Sequence, residues 1–255
     1  MDERIVRLLN DLAGKRLSIK KERMKNLLEI AVPDEAIYRE IMLSMGYSEN
    51  KLQFHKLSLI LPYSQIRELK TKETVEKALL YRAGLSNDKK ELPDDFDFSL
   101  RMSRKLWKYR NVRPANFPEK RIKQMAVLLY QTMEDGIYKY FKFRIQENYK
   151  NGSNKKSAVK AVNKILSFKG LGKNRKLEMF FNILLPFYLV SFEKESDKKM
   201  LKFLTDVFEF HPALPDNLVI RKAKSLFAGR HNISEEFPNT AKTYFGLIQW
   251  SHNYE

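Results

Sequence analysis

The chain has 255 residues, of which 43% are hydrophobic and 31% charged, with nine glycines, nine prolines and no cysteine. This composition can bury the core of one large or two small domains. It excludes disordered, collagenous and disulfide-built proteins, and with them thiolate zinc sites, iron–sulfur clusters and cysteine nucleophiles. The formal net charge of +17 points toward polyanions as partners.

Apolar residues recur at helical spacing almost throughout, and the alternation of strands is scarce, so the chain reads as all-α: a compact array of roughly 10–12 helices in a single domain over residues 1–255. The opening Met1-Asp-Glu-Arg-Ile-Val-Arg is charged and then amphipathic, unlike a signal peptide, and the expected location is the cytoplasm. Ile5, Leu8, Leu9 and Leu12 predict a short first helix, and Met24, Leu27, Leu28 and Ala31 predict a second. Pro33 opens the next, with Ala36, Ile37, Ile41 and Met45 on one stripe and Gly46 as its stop. Phe54, Leu57 and Leu61, then Val75 and Leu79 followed by Gly84, suggest two more.

The polar, breaker-containing run Ser86 to Asp97 reads as a loop and a sub-boundary near 86–97. Asn148 to Ser157 lacks apolar residues except Tyr149 and reads as a mobile basic loop. Leu177 to Val190 is the most apolar stretch. It falls short of the about 20 apolar residues that a membrane span needs, so it is expected to be a buried helix, kinked at Pro186, with the freed carbonyl near Asn182. Amphipathic helices are expected around 198–208, 215–227 and 238–254.

The positive charge is concentrated. Between Arg101 and Lys176 there are 21 Lys+Arg and four Asp+Glu, a net +17, and the flanks together are neutral. Such a segment (101–176) attracts nucleic acid or another polyanion, or serves as a solvated surface that keeps the protein dispersed.

The most distinctive motif is Trp107-Lys-Tyr-Arg110-Asn-Val-Arg113-Pro114-Ala-Asn116-Phe117-Pro118-Glu-Lys-Arg121. Two prolines four apart force an extended turn leading into a helix near Pro118, from which Arg110, Arg113 and Arg121 could converge on phosphate or carboxylate. Alternatively these arginines bridge helix termini and internal carboxylates and pin the loop to the fold. Phe168-Lys-Gly170-Leu-Gly172-Lys173-Asn-Arg175-Lys176 sets two glycines and three cations before the apolar helix, as a phosphate cradle or as a glycine turn between helices; Walker spacing is missing. In Tyr138 to Arg144, aromatic and basic residues interleave as in single-strand binders, although Ile137, Tyr140, Phe141 and Arg144 share a helical face that points to core. His55, His211, His231 and His252 are scattered singly, and Asp94, Asp95 and Asp97 suit loop solvation or helix capping, so no metal or cofactor is implied. No serine stands in a nucleophile elbow.

The Trp107-x-x-Arg110-x-x-Arg113-Pro-Ala-Asn-Phe-Pro118-x-x-Arg121 block, Leu171-Gly172-Lys173, Asn182-x-x-x-Pro186 and Gly246-Leu-Ile-Gln249 together resemble an uncharacterised bacterial protein family known as a domain of unknown function. The resemblance makes Trp107, Pro114, Asn116, Pro118, Asn182 and Pro186 signature positions. It further implies that longer members carry an N-terminal domain with acidic motifs and a cysteine-containing tail, so that this chain corresponds to their helical C-terminal half. It supplies no activity.

The sequence therefore reads as a non-enzymatic helical module. One expectation is binding of nucleic acid or another polyanion through Arg110, Arg113, Arg121, Lys123, Lys173, Arg175 and Lys176. The other is docking onto a separately encoded protein partner. An enzyme acting on a phosphorylated small molecule is the least supported, for want of a recognisable base or nucleophile.

Overall fold

The computed structural model describes residues 2–47, 49–149 and 154–254. Helix accounts for about 70% of the chain, and no strand occurs among the described residues. The all-α expectation therefore holds. The chain forms two compact units: residues 1–29, 144–166 and 174–255 make up the first, and residues 30–143 and 167–173 the second. Residues 86–97 lie inside the second unit.

The N-terminus departs from the two short helices expected. A single helix, α1 (Glu3–Ile30), runs 28 residues. Gly14 weakens a helix interior by about 1 kcal/mol relative to alanine but does not end it, and the Lys/Arg-rich stretch after it consists of good helix formers. In the first unit, α1 buries Leu9, Ala13 and Met24. Lys21 pairs with Glu193, and the Arg16 guanidinium lies 5.7 Å from the centre of the Phe245 ring.

The rest of the first unit is built on α8 (Lys155–Ile165), α9 (Lys173–Met179, less its first residue), α10 (Leu185–Lys194), α11 (Lys198–Phe210), α12 (Leu218–His231) and α13 (Ala241–Tyr254). α11 packs on α8, α10 and α13, and α12 packs on α13. Buried Met200, Phe203, Leu204, Val207 and Phe208 give α11 its 3–4 spacing. Side-chain caps fix the starts: Asp197 accepts from Met200 N at 3.1 Å, Asn217 accepts from Ile220 N at 3.0 Å, and Asn154 with Ser157 forms a reciprocal capping box. These caps, and not Pro215 or Pro238, set where helix begins. Residues 150–153 of the expected basic loop lie outside the described residues, and Lys155 to Ser157 already form the first turn of α8.

The predicted disturbance at Pro186 takes a specific form. Phe180–Leu184 is a π turn joining α9 to α10, and Leu185 N donates to Phe180 O. Pro186 follows as one of the first residues of α10, where its missing N–H leaves less unsatisfied. The side chain of Asn182 donates to Glu178 O at 2.9 Å.

The second unit contains α2 (Pro33–Met45), α3 (Lys51–Ile60), α4 (Tyr63–Glu68), α5 (Lys72–Arg82), α6 (Pro118–Thr132) and the start of α7 (Ile137–Glu147). α2 matches the proline start and Gly46 cap read from sequence. α4, a single short helix after Pro62, stands between the two helices expected from Phe54 to Gly84. α2 packs on α3 and α4, and α5 packs on α6 and α3. Buried polar pairing ties them. Tyr63 N donates to Glu35 Oε2 at 2.8 Å, Tyr63 Oη donates to Thr132 O at 2.8 Å, and Tyr38 Oη donates to Leu61 O at 2.8 Å. Each such buried bond contributes about 1 kcal/mol net and costs more if one partner is removed.

Two predictions follow from this packing. A Cβ on Gly246 of α13 would stand 2.2 Å from Leu9 O of α1, whereas one on Gly14 meets nothing within 4 Å. Gly246→Ala should cost several kcal/mol in denaturant unfolding, and Gly14→Ala should stabilise by about 0.5–1 kcal/mol. Burial raises the Tyr63 phenol from 10.0 to about 12 and raises Tyr38 in the same direction. Because the folded-state values lie above the unfolded ones, this stability is complete below pH about 10 and is lost as pH rises toward 12. Tyr63→Phe should lower stability at neutral pH by about 1 kcal/mol and flatten its decline across that alkaline window.

Candidate functional site

Between α5 and α6 the chain runs from Ala83 to Phe117 with only two short 3-10 turns, Arg104–Leu106 and Pro114–Asn116. Ordered connections of this length are uncommon in compact domains and are more often functional than incidental. The segment stays in place because side chains serve its backbone. Trp107 is buried edge-on against Phe54, 5.2 Å between ring centres, and its Nε1 donates to Ala83 O at 2.7 Å. Asn50 donates to Lys108 O and accepts from Lys108 N, both at 2.9 Å. Gln53 donates to Leu106 O at 2.9 Å. Tyr109 stacks edge-on with Phe117 and donates to Glu119 at 2.5 Å, and burial raises its phenol to about 12, with Glu119 adding to the rise.

Arg121 is the pin of this block. It is 6% exposed, donates from Nη1 to Gln124 at 2.8 Å and from Nη2 to Tyr47 at 2.5 Å and to Asn116, and lies 4.7 Å from the centre of the Tyr47 ring. Arg121 therefore does not join Arg110 and Arg113 in a convergent set; its guanidinium holds the turn. Asn116 and Pro118 are structural in the same sense, the first as its acceptor and the second as the first residue of α6. Pro114 opens the preceding 3-10 turn. Arg110 and Arg113 project to solvent, with no hydrogen bond or ion pair to any described residue. Lys123 is exposed and lies 3.4 Å from Glu76.

The glycine-containing stretch is a linker seated on α6. Gly170 takes φ +102, and a Cβ there would stand 2.6 Å from Gln124 O, so only glycine fits. Lys169 N donates to Gln131 Oε1 at 3.1 Å, and Phe168 packs edge-on with Phe141 at 5.7 Å. Gly172 is open. Lys173 is exposed and belongs to the second unit. Arg175 and Lys176 belong to the first unit. There Arg175 pairs with Glu178 at 2.8 Å, and Lys176 donates to Leu166 O at 2.9 Å. Burial, reinforced by the nearby Arg144 charge, lowers the Lys176 ammonium from its usual range.

The basic stretch is thus divided by the fold. The first unit holds 25 basic and 16 acidic residues and the second 23 and 15. In the aromatic-basic run, Ile137 and Phe141 are core while Phe143 is exposed. His211 is buried, its Nδ1 2.7 Å from Pro212 O, and His231 stacks 4.4 Å from Phe227. Among the described residues no group of three His, Asp or Glu is placed to hold a metal ion, and no helix is long and apolar enough to cross a membrane.

A family model described as a protein of unknown function, DUF2851, matches residues 2–213. The chain belongs to the DUF2851 family. No curated protein and no solved structure matches it. The matched range takes in the whole Ala83–Arg121 strap, so its anchoring belongs to the family part of the chain, whereas α12 and α13 lie beyond it.

The different roles of two arginines in this DUF2851 chain generate a contrast. Arg121→Ala should cost about 3 kcal/mol or more by leaving Asn116, Gln124 and the Tyr47 hydroxyl unpaired in a buried site, whereas Arg113→Ala should change unfolding stability by less than about 0.5 kcal/mol.

Proposed function

We propose that this DUF2851 protein is a polyanion-binding module, with nucleic acid as the ligand class, and that the strap between Arg101 and Lys123 is its contact surface. The observation that carries the reading is a rigid, cation-rich segment whose anchors face inward and whose charges face outward. Nine basic residues and one acidic residue occupy these 23 positions. Lys105, Arg110, Arg113 and Lys120 are exposed, with side chains uncommitted to any described residue. Ordering the segment in advance removes the entropy that a flexible basic tail would lose on binding. Exposed guanidinium groups match phosphate bidentately, and their release of counterions drives association. Lys123 and Lys173 extend the same unit's positive surface. Arg121 acts by positioning.

A second reading rests on α12, where Leu218, Val219 and Leu226 are exposed at helical spacing. An apolar stripe of that kind favours a protein-docking face.

The deciding experiment is titration of labelled single- and double-stranded DNA and RNA across roughly 50–200 mM salt. Binding should weaken steeply with salt. An Arg110→Ala/Arg113→Ala variant should lose affinity and about 0.9 units of log–log salt slope for each duplex phosphate contact removed. A Lys173/Arg175/Lys176 triple alanine variant reports whether the second cluster takes part. Absence of binding at the lowest salt, or an unchanged slope in the folded Arg110/Arg113 variant, overturns the proposal.

A further inference from the structure

The positive charge of the strap continues along α6. With Ile122, Met125, Leu129 and Thr132 turned to the core, Lys120, Lys123, Val127 and Tyr130 follow one another at spacings of three, four and three residues on the outward side. Lys120 and Lys123 are exposed, and Tyr130 is 48% exposed. At about 1.5 Å per residue the line from Lys120 to Tyr130 is about 15 Å long, the span of about four nucleotides in a stacked strand. Beside it lies the 167–173 linker. Gln131 holds it by donating to Lys169 O at 3.3 Å and accepting from Lys169 N at 3.1 Å, and Gly170 closes on Gln124 O and the Val127 side chain. The linker adds the exposed Lys169 and Lys173. No Asp or Glu occurs from Lys120 to Met133 or from Ser167 to Lys173. Glu76 lies 3.4 Å from Lys123, a partly exposed pair that is worth little and exchanges readily for phosphate.

Tyr130 differs from the tyrosines that build this unit. Tyr38, Tyr63, Tyr81 and Tyr109 each place the hydroxyl on an acceptor. The Tyr130 side chain has no hydrogen bond, ring partner or cation over its face among the described residues. Its ring is therefore left accessible at the end of a row of cations. An aromatic face beside a positively charged track is the arrangement that holds an unpaired nucleobase, the ring stacking the base while the cations follow the backbone. A duplex cannot use such a ring, because the faces of its bases are already stacked on one another.

We infer that the ligand is a single strand, its phosphates along Lys120, Lys123 and Lys169 and one base stacked on Tyr130. This inference rests on the nucleic-acid reading of the strap and narrows it.

The test is anisotropy titration of the intact protein with a labelled single-stranded oligonucleotide, an abasic strand of the same length, the corresponding duplex and inorganic polyphosphate as an unlabelled competitor. The single strand should bind more tightly than the abasic strand or the duplex. Tyr130→Ala should weaken the single strand about fivefold or more while leaving the other probes unchanged. Its salt slope should stay the same, because a ring releases no counterion, and Tyr130→Trp should keep the affinity. Lys120→Ala/Lys123→Ala should instead lower the slope by about 0.7 units for each phosphate contact removed. Phe143 is an exposed ring two residues on from Phe141, and so on the side of α7 opposite the ring that packs on Phe168. Phe143→Ala should change nothing. All these side chains are exposed, so Tm should not move. Absence of nucleic-acid binding at the lowest salt removes the strap reading and this one together. Binding that survives Tyr130→Ala unchanged, that falls equally with Phe143→Ala, that is matched by the abasic strand or that favours the duplex overturns the single-strand inference alone and leaves the strap in place.

Discussion

The second unit depends on satisfying the main-chain groups of a long stretch that makes few hydrogen bonds with itself. From Ala83 to Phe117 the chain lacks the repeating bonds of a helix, and every buried N–H or C=O left over would cost about 1–3 kcal/mol. Side chains from α5, from α3 and from the residue before α3 meet that demand: Arg82 for two carbonyls, Asn50 for both main-chain groups of Lys108, Gln53 for Leu106, and Tyr81 for Phe98 O at 3.2 Å. Within the stretch, Trp107 returns a donor to Ala83. Once these bonds are made, the outward residues are fixed in place without contributing to the fixing. That separation of labour is what leaves Arg110 and Arg113 at liberty.

Much of the fold is legible in the residues because period 3.6 and helix punctuation are local signals. Pro33 to Gly46 shows this most plainly, since start, stripe and stop all lie within one element. Proline at 118 marks α6 for the same reason. Failures occur where local signals are weak or ambiguous. The gap in the apolar pattern around Gly14 looks like a break in a window of four residues, yet propagation through Lys and Arg costs little. The six-residue α4 is too short to develop a period.

The candidate site divides in the same way. That the Trp107 to Arg121 block is a turn feeding a helix could be read from its prolines. Which arginine faces inward could also have been found, because Arg121 shares a helical face with Ile122, Met125 and Leu128, all buried. Arg82 falls likewise on the stripe of Val75, Ala78 and Leu79. An arginine on an apolar stripe is a sign of a buried guanidinium with fixed acceptors, which are side chains for Arg121 and main-chain carbonyls for Arg82. Tyr47 for Arg121, and Asp97 and Leu100 for Arg82, however, come from segments whose arrival no spacing encodes. The division of the basic stretch between two units was equally invisible, since contiguity in sequence gives no account of which face each turn presents.

The π turn at Phe180–Leu184 amounts to one residue more than an α-helix would need between α9 and α10. Each residue of a helix advances the azimuth by about 100°. Insertion of one residue therefore rotates everything after Leu185 by that angle relative to the register set by Leu177 and Met179. From Leu185 to Phe192 every residue of α10 is buried, so that rotation decides which neighbour each side chain meets. A single-residue deletion there would act as a phase error carried down the whole of a helix enclosed on every side, with consequences far larger than the loss of one side chain.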